Sequence, residues 1–301
     1  MNHKKTSLLL ALAGLLSLSA QAAEFKTRVV ASGLSRPTGV VAGASDELYF
    51  SEVPNPGVPM AGNAVKMIDL EDSTITTLHM GEPEPVNLAL DRWGNLYWTC
   101  KSAGVILTQG EDGDAMPLLR GLQKPSGIAV DRWGNVYFTQ LPTPGVNDMD
   151  GGSNSVAVFD GDAVSVLHMG EPEPQDIAVS RKGELYWTCK SAGVILEQDA
   201  KGNTSVLIKD LNKPVGIALN KKGDRLYWTE VPTPGVSGAN GGQNRVWELN
   251  LRTMKKTLVD FGDPEPTDIT VARDGSLYWT CSSAGVIVEA TRHRGRGNDK
   301  D

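Results

Sequence analysis

Short apolar runs alternate with polar turns along almost the whole chain, and one five-residue pattern recurs through them. It reads aliphatic, Tyr, aromatic, Ser or Thr, then Glu, Cys or Gln, at Leu48–Glu52, Leu96–Cys100, Val136–Gln140, Leu185–Cys189, Leu226–Glu230 and Leu277–Cys281. All six tyrosines of the protein fall in these copies. Each copy follows an apolar run opened by a proline, at Pro37, Pro85, Pro125, Pro174, Pro214 and Pro266. A polar turn such as Asp131-Arg132-Trp133-Gly134-Asn135 separates the two runs. Two further runs follow, for example Asn63–Ile68 and Ser73–Leu78. Short β-branched and aromatic segments bounded by Gly, Asp and Asn predict strands.

Four strands in each unit, with units 40 to 52 residues apart, predict propeller blades. The last unit ends after its third strand, Gly285–Glu289, while Thr27–Leu34 matches the fourth strand of the second unit, Ala115–Leu122. The expected fold is therefore an all-β, six-bladed β-propeller with four strands per blade. Its N-terminal strand completes the last blade and covers an open sheet edge. Blades opened by Pro37, Pro125 and Pro214 carry a long connection after the Tyr strand, beginning at Pro54, Pro142 and Pro232. Those opened by Pro85, Pro174 and Pro266 have a tight Ser-Ala-Gly turn instead. The chain reads as three two-blade repeats.

These motifs resemble the NHL and YWTD groups of six-bladed propellers. Pro125–Tyr137 fits Pro-x-Gly-Ile-Ala-Val-Asp-x-x-Gly-Asn-x-Tyr, and there are four Leu-Tyr-Trp-Thr copies. The resemblance covers residues 26–290. The Asp that follows Tyr-Trp-Thr in the YWTD pattern is replaced here by Glu or Cys. Such propellers serve as binding platforms, lactonases and lyases. The gluconolactonase-like group implies Ca²⁺ held by acidic and amide residues at the mouth of the central channel, and a virginiamycin B lyase-like group shares the layout.

The first residues change the picture of location. Lys4-Lys5, an apolar run from Leu8 to Leu18 and Ala20-Gln21-Ala22 form an expected signal peptide, residues 1–22, cleaved after Ala22. The propeller is assigned to residues 23–291 and a polar tail to 292–301. A periplasmic or secreted monomer with no membrane span follows as the expectation. Of 29 basic residues two lie in the leader, leaving 27 against 36 acidic ones. That balance disfavours nucleic acid and anionic lipid. There is no phosphate-binding loop, dinucleotide fingerprint or Ser-His-Asp arrangement.

Candidate chemistry collects where the Tyr strands end and the proline strands begin. The residues before the opening prolines are Arg36, Glu84, Lys124, Glu173, Lys213 and Glu265, alternating in sign. They form either an inter-blade ion-pair belt or part of a ligand site. Two residues after each proline come Gly39, Asn87, Gly127, Asp176, Gly216 and Asp268. Asn87, Asp176 and Asp268 at threefold positions suit a hard cation such as Ca²⁺. The alternative is that each caps backbone N–H groups at a crossover.

Cys100, Cys189 and Cys281 occupy a third equivalent series. Their strand lies ~4.8 Å outside the lining strand, which separates alternate blades by on the order of 15–20 Å. That exceeds the ~7 Å Cα limit for a disulfide, so three buried free thiols are expected. His79-Met80 and His168-Met169 are matched by Asp260-Phe261, which favours turn architecture over a soft-metal site. Asn147–Gly152 carries a weak Ca²⁺-loop pattern. Trp93, Trp98 and Trp187 are read together as packing residues. Two functions remain. One is a propeller binding an unknown small molecule or protein at its top face and channel mouth; the other is a Ca²⁺-dependent lactonase, hydrolase or lyase.

Overall fold

The computed structural model describes residues 24–54, 56, 62–110, 112–142, 153–232 and 243–293. The leader, the Asn147–Gly152 segment and most of the three long connections lie outside them. Within the described residues, 24 strands form six four-stranded antiparallel sheets arranged as a ring of blades. Blade 1 runs through Pro37–Ala42, Glu47–Glu52, Ala64–Asp69 and Ile75–Met80, and blades 2 to 5 repeat that order. In blade 6, Phe25–Ala31 pairs antiparallel with Val286–Arg292. The N-terminal strand therefore closes the ring.

The recurring pentapeptide explains how the blades stack. Side chains alternate across a strand, so the first and third residues of the motif face the preceding blade while Tyr and Thr face the next. Phe50, Trp98, Phe138, Trp187, Trp228 and Trp279 are completely buried. Each packs against the Tyr of the blade before it, as Tyr97 does with Phe138 and Tyr227 with Trp279. Six apolar clusters result, one per blade interface. Burying one large apolar side chain is worth about 1.5–3 kcal/mol, so these interfaces carry much of the fold's stability.

The Ser or Thr of the motif works as an inter-blade clasp. Thr188 Oγ1 accepts the N–H of Asp176 in its own blade (3.2 Å) and donates to the carbonyl of Val215 in the next (2.6 Å). Thr99 does the same with Asn87 and Ser126, and Thr280 with Asp268 and Thr38. Every inner strand shifts register just after its proline. The shift takes backbone N–H groups out of the ladder, and side chains must satisfy them.

Trp93 departs from the packing expected of it. It is 61% exposed, and its counterpart Trp133 is 56% exposed. The reason is local. Asp91 accepts the N–H of Trp93 (2.8 Å) and of Asn95 (2.9 Å), which closes a tight turn and leaves the indole outside any strand.

Candidate functional site

The inner strands line the channel, and their alternating Gly and Asx residues fit one another by size. A β-carbon added to Gly127 would lie 2.5 Å from Asp176 Cα, one on Gly216 2.7 Å from Asp268 Cα, and one on Gly39 2.8 Å from Asn87 Cα. Glycine in one blade thus admits the larger residue of the next. Asp176 Oδ2 accepts the N–H of Ile217 (2.8 Å) and its Oδ1 that of Ile177 (2.8 Å). Asp268 treats Val40 (2.7 Å) and Ile269 (2.8 Å) in the same way. Each aspartate thus caps an N–H of its own inner strand and one of the next blade's inner strand.

Asn87, Asp176 and Asp268 meet on the axis. Asn87 Nδ2 donates to Asp176 Oδ1 at 3.0 Å, and the two aspartates are hydrogen-bonded to each other. Burial, and next the charge of Asp268, push Asp176 far above the usual carboxylate range. Burial also raises Asp268, to about 7, against the opposing pull of the Val40 and Ile269 N–H groups. Both shifts favour the protonated carboxyl, as expected for two acids desolvated side by side.

Above this floor lies a cleft of about 240 Å³ to which all six blades contribute. Thr38, Ser126, Gln175 and Thr267 supply hydroxyl and amide groups, Val86, Val215 and Val231 the apolar wall. Lys190, Lys213 and Glu265 are its remaining charged groups. Glu265 Oε2 is buried without a hydrogen-bond partner. Of the residues anticipated for the mouth, Asn87, Asp176, Asp268, Lys213 and Glu265 line this cleft. Arg36, Glu84, Lys124 and Glu173 are not among its lining. Thr38, Ser126, Gln175 and Thr267 went unremarked in the sequence, although each directly follows an opening proline. Lys190 directly follows Cys189.

The alternating belt is not an ion-pair chain. Among the described residues no salt bridge joins two of its members; Glu173 pairs instead with Lys190 at 3.8 Å. All six have a positive φ, between 51° and 58°. Their carbonyls accept the N–H of the residue just past each Tyr strand, as Glu84 does from Lys101 (3.0 Å) and Lys213 from Val231 (3.1 Å). The position is set by the backbone crossover, and a left-handed residue before proline avoids the right-handed helical region that proline disfavours.

The three cysteines are free and buried. Each thiol lies against a crossover carboxylate: Cys100 by Glu82 (3.9 Å), Cys189 by Glu171 (3.6 Å), Cys281 by Asp263 (3.8 Å). The same carboxylates accept the indole N–H of Trp98, Trp187 and Trp279. Burial raises all three thiols well above the ordinary value. His79 and His168 stack on Trp98 and Trp187, with centroids 4.7 and 4.8 Å apart. In the third copy Asp260 stands in place of His, and burial, then the charge of Asp263, raises it to about 8. Among the described residues no group of three His, Cys, Asp or Glu side chains could hold a metal ion. No helix among them is long and apolar enough to cross a membrane.

No family model matches the chain. A low-density lipoprotein receptor-related protein 1 of Pyricularia oryzae is 26% identical over 280 residues, covering 78% of this chain and 86% of that protein. Mouse low-density lipoprotein receptor-related protein 5 is 32% identical over 106 residues, a match to 33% of this chain and only 6% of its own length. A gluconolactonase structure from Xanthomonas campestris superposes with a TM-score of 0.71 at 16% identity, covering 92% of this chain and 93% of the other. A streptogramin B lyase gives 0.61 at 17% identity, covering 89% and 98%. At such identities the structural likeness shows the fold alone. The chain is a six-bladed β-propeller similar to gluconolactonases, to virginiamycin B lyase and to the YWTD propellers of low-density lipoprotein receptor-related proteins.

Proposed function

We propose that the protein is an exported binding propeller that takes a small zwitterionic ligand in the axial cleft of its top face. The observation that carries this reading is the cleft's charge layout: Lys213, with Lys190 held at its edge by Glu173, and one buried, unpartnered carboxylate oxygen on Glu265. A ligand carboxylate would meet the lysines while an ammonium or other donor meets Glu265. The hydroxyls of Thr38, Ser126 and Thr267 would orient the rest. Ligand pockets of this kind combine an apolar wall with a few convergent polar groups. Export rests on the leader sequence, and a mature protein beginning at Ala23, read by intact mass, tests it.

The alternative is a Ca²⁺-dependent lactonase or lyase, supported by the likeness to the gluconolactonase fold. The donor set argues against the metal. Asp176 and Asp268 already accept two backbone N–H groups each, burial raises both above the usual carboxylate range, and Lys190 and Lys213 line the same cleft. Ca²⁺ takes 6–8 oxygen ligands at about 2.3–2.6 Å, and these oxygens are spent.

Melting temperature distinguishes the two. Stabilisation by amino acids or small amino-sugar acids, lost in Lys213→Ala and in Glu265→Gln, supports the binding reading. A rise on adding Ca²⁺ after chelation that Asp176→Ala with Asp268→Ala abolishes would overturn it in favour of the hydrolase.

A further inference from the structure

The face opposite the cleft is built from the turns joining the first to the second strand and the third to the fourth strand of each blade. Its charge is divided in two. Blade 1 exposes Glu71 and Asp72 there, blade 2 Asp112 and Asp114, and blade 3 Asp160 and Asp162. The same turns of blades 4 to 6 expose Arg181 and Lys182, then Lys221, Lys222 and Arg252, then Arg273 beside Asp274. The exceptions are muted. Arg92 and Arg132, in the acidic half, lie 4.1 Å over the rings of Trp93 and Trp133. Asp199 and Asp274, in the basic half, cap the N–H groups of Lys201 and Asn203 and of Ser276. Between the charges, Trp93 and Trp133 present two exposed indoles in adjacent blades.

We propose that this face docks against the same face of a second copy, forming a two-fold dimer. A two-fold axis lying in the face, through the boundaries between blades 3 and 4 and between blades 6 and 1, reverses the blade order. Blade 1 then meets the partner's blade 6, blade 2 its blade 5, and blade 3 its blade 4. Acidic blades 2 and 3 face basic blades 5 and 4, and acidic blade 1 faces blade 6 with its Arg273 and Asp274, which gives most of the self-complementarity an isologous interface requires. Trp93 comes opposite Lys221 and Lys222, and Trp133 opposite Arg181 and Lys182, pairings that favour cation–π contact. Exposed aromatics ringed by polar groups have the composition of interface anchors. A partner of one sign, such as an anionic membrane or an acidic peptide, is repelled by half of the face. A second copy is attracted by most of it.

Charge swapping tests the geometry. At about 0.01 M salt, where the screening length is ~30 Å, the protein should sediment as a dimer, and at about 1 M salt as a monomer. Lys221→Glu with Lys222→Glu sets acid against acid in the blade 2–blade 5 contact, so that variant should be monomeric. Asp112→Lys with Asp114→Lys sets base against base and should be monomeric too. An equimolar mixture of the two variants restores both contacts and should sediment as a dimer. Trp93→Ala with Trp133→Ala should weaken dimerisation at least tenfold. All these positions are exposed turns, and unchanged melting temperatures confirm folding. A wild-type monomer at low salt overturns the proposal, as does a mixture that stays monomeric.

Discussion

Replacing Thr188 by Val tests the clasp on which the ring closure rests. The two side chains have the same shape, and Thr188 is fully buried, so no cavity opens and no apolar area is lost. What disappears is one hydroxyl with two partners, the N–H of Asp176 and the carbonyl of Val215. Both partners are main-chain groups inside the blade 4–blade 5 junction, where no strand ladder replaces the bond. A buried polar group stripped of its partner costs about 1–3 kcal/mol, so the pair together costs about 2–6 kcal/mol. For a domain of this size each kcal/mol moves the melting temperature by roughly 2–4 °C. A fall of about 4–24 °C should appear in a thermal melt followed by tryptophan fluorescence. Thr188→Ser is the control. It keeps the hydroxyl and loses a methyl, at a cost of about 1 kcal/mol, and Ser51 already fills this role in blade 1. A valine variant that melts at or above the serine variant would refute the clasp.

The remaining predictions concern the buried acids, the glycines and the thiols. Burial raises Asp268 to about 7 and Asp260 to about 8, from the ordinary 3.8. Raised values of this kind stabilise fully below about pH 4, and that contribution is lost as pH rises through 7 to 8, so the melting temperature should fall between pH 5 and 9. Asp260→His restores the residue of the other two copies and should remove the upper part of that fall; an unchanged pH profile would count against the buried pair. Asn87→Asp replaces the donor to Asp176 with a third axial carboxyl and should destabilise more at pH 8 than at pH 5, by differential melting. Gly127→Ala drives a methyl into Asp176 Cα and should lower the melting temperature by more than 10 °C, or fail to fold. Thiol titration should find no reactive cysteine in the native protein and three after denaturation.

The fold was legible because blade architecture repeats, and repetition in sequence is visible without coordinates. Tyr, Trp and Thr recur together since one strand must serve two interfaces, aromatic on one side and aromatic plus hydroxyl on the other. Closure by the N-terminal strand was legible for the same reason, through the match of Thr27–Leu34 to Ala115–Leu122. The convergence of Asn87, Asp176 and Asp268 followed from their place in the inner strands. Their capping of backbone N–H groups was the alternative the sequence offered to a cation site, and it is what Asp176 and Asp268 do. The belt misled as an ion-pair chain because alternating sign suggests pairing, whereas a carbonyl at positive φ defines those positions. Trp93 misled because composition does not separate an indole in a strand from one at a turn tip.

The cleft lies where the repeat is least obeyed, and the reason is geometric. On the axis, equivalent positions of different blades become neighbours, so a strictly repeated ionisable residue would meet its own copies. Glycine at Gly39, Gly127 and Gly216 relieves the crowding in one blade type. In the other, three aspartates would place three carboxylates around one point in a desolvated channel. Asn87 breaks that threefold: its amide donates to Asp176, and only one pair of acids remains on the axis. The residues around it diverge as well, with Thr38, Ser126 and Val215 following the prolines of equivalent blades. Symmetry is kept where packing needs it, in the buried Tyr strands, and given up at the axis. A ligand of the proposed kind would therefore meet six different surfaces built on six similar blades, and what the repeats do not share would recognise it.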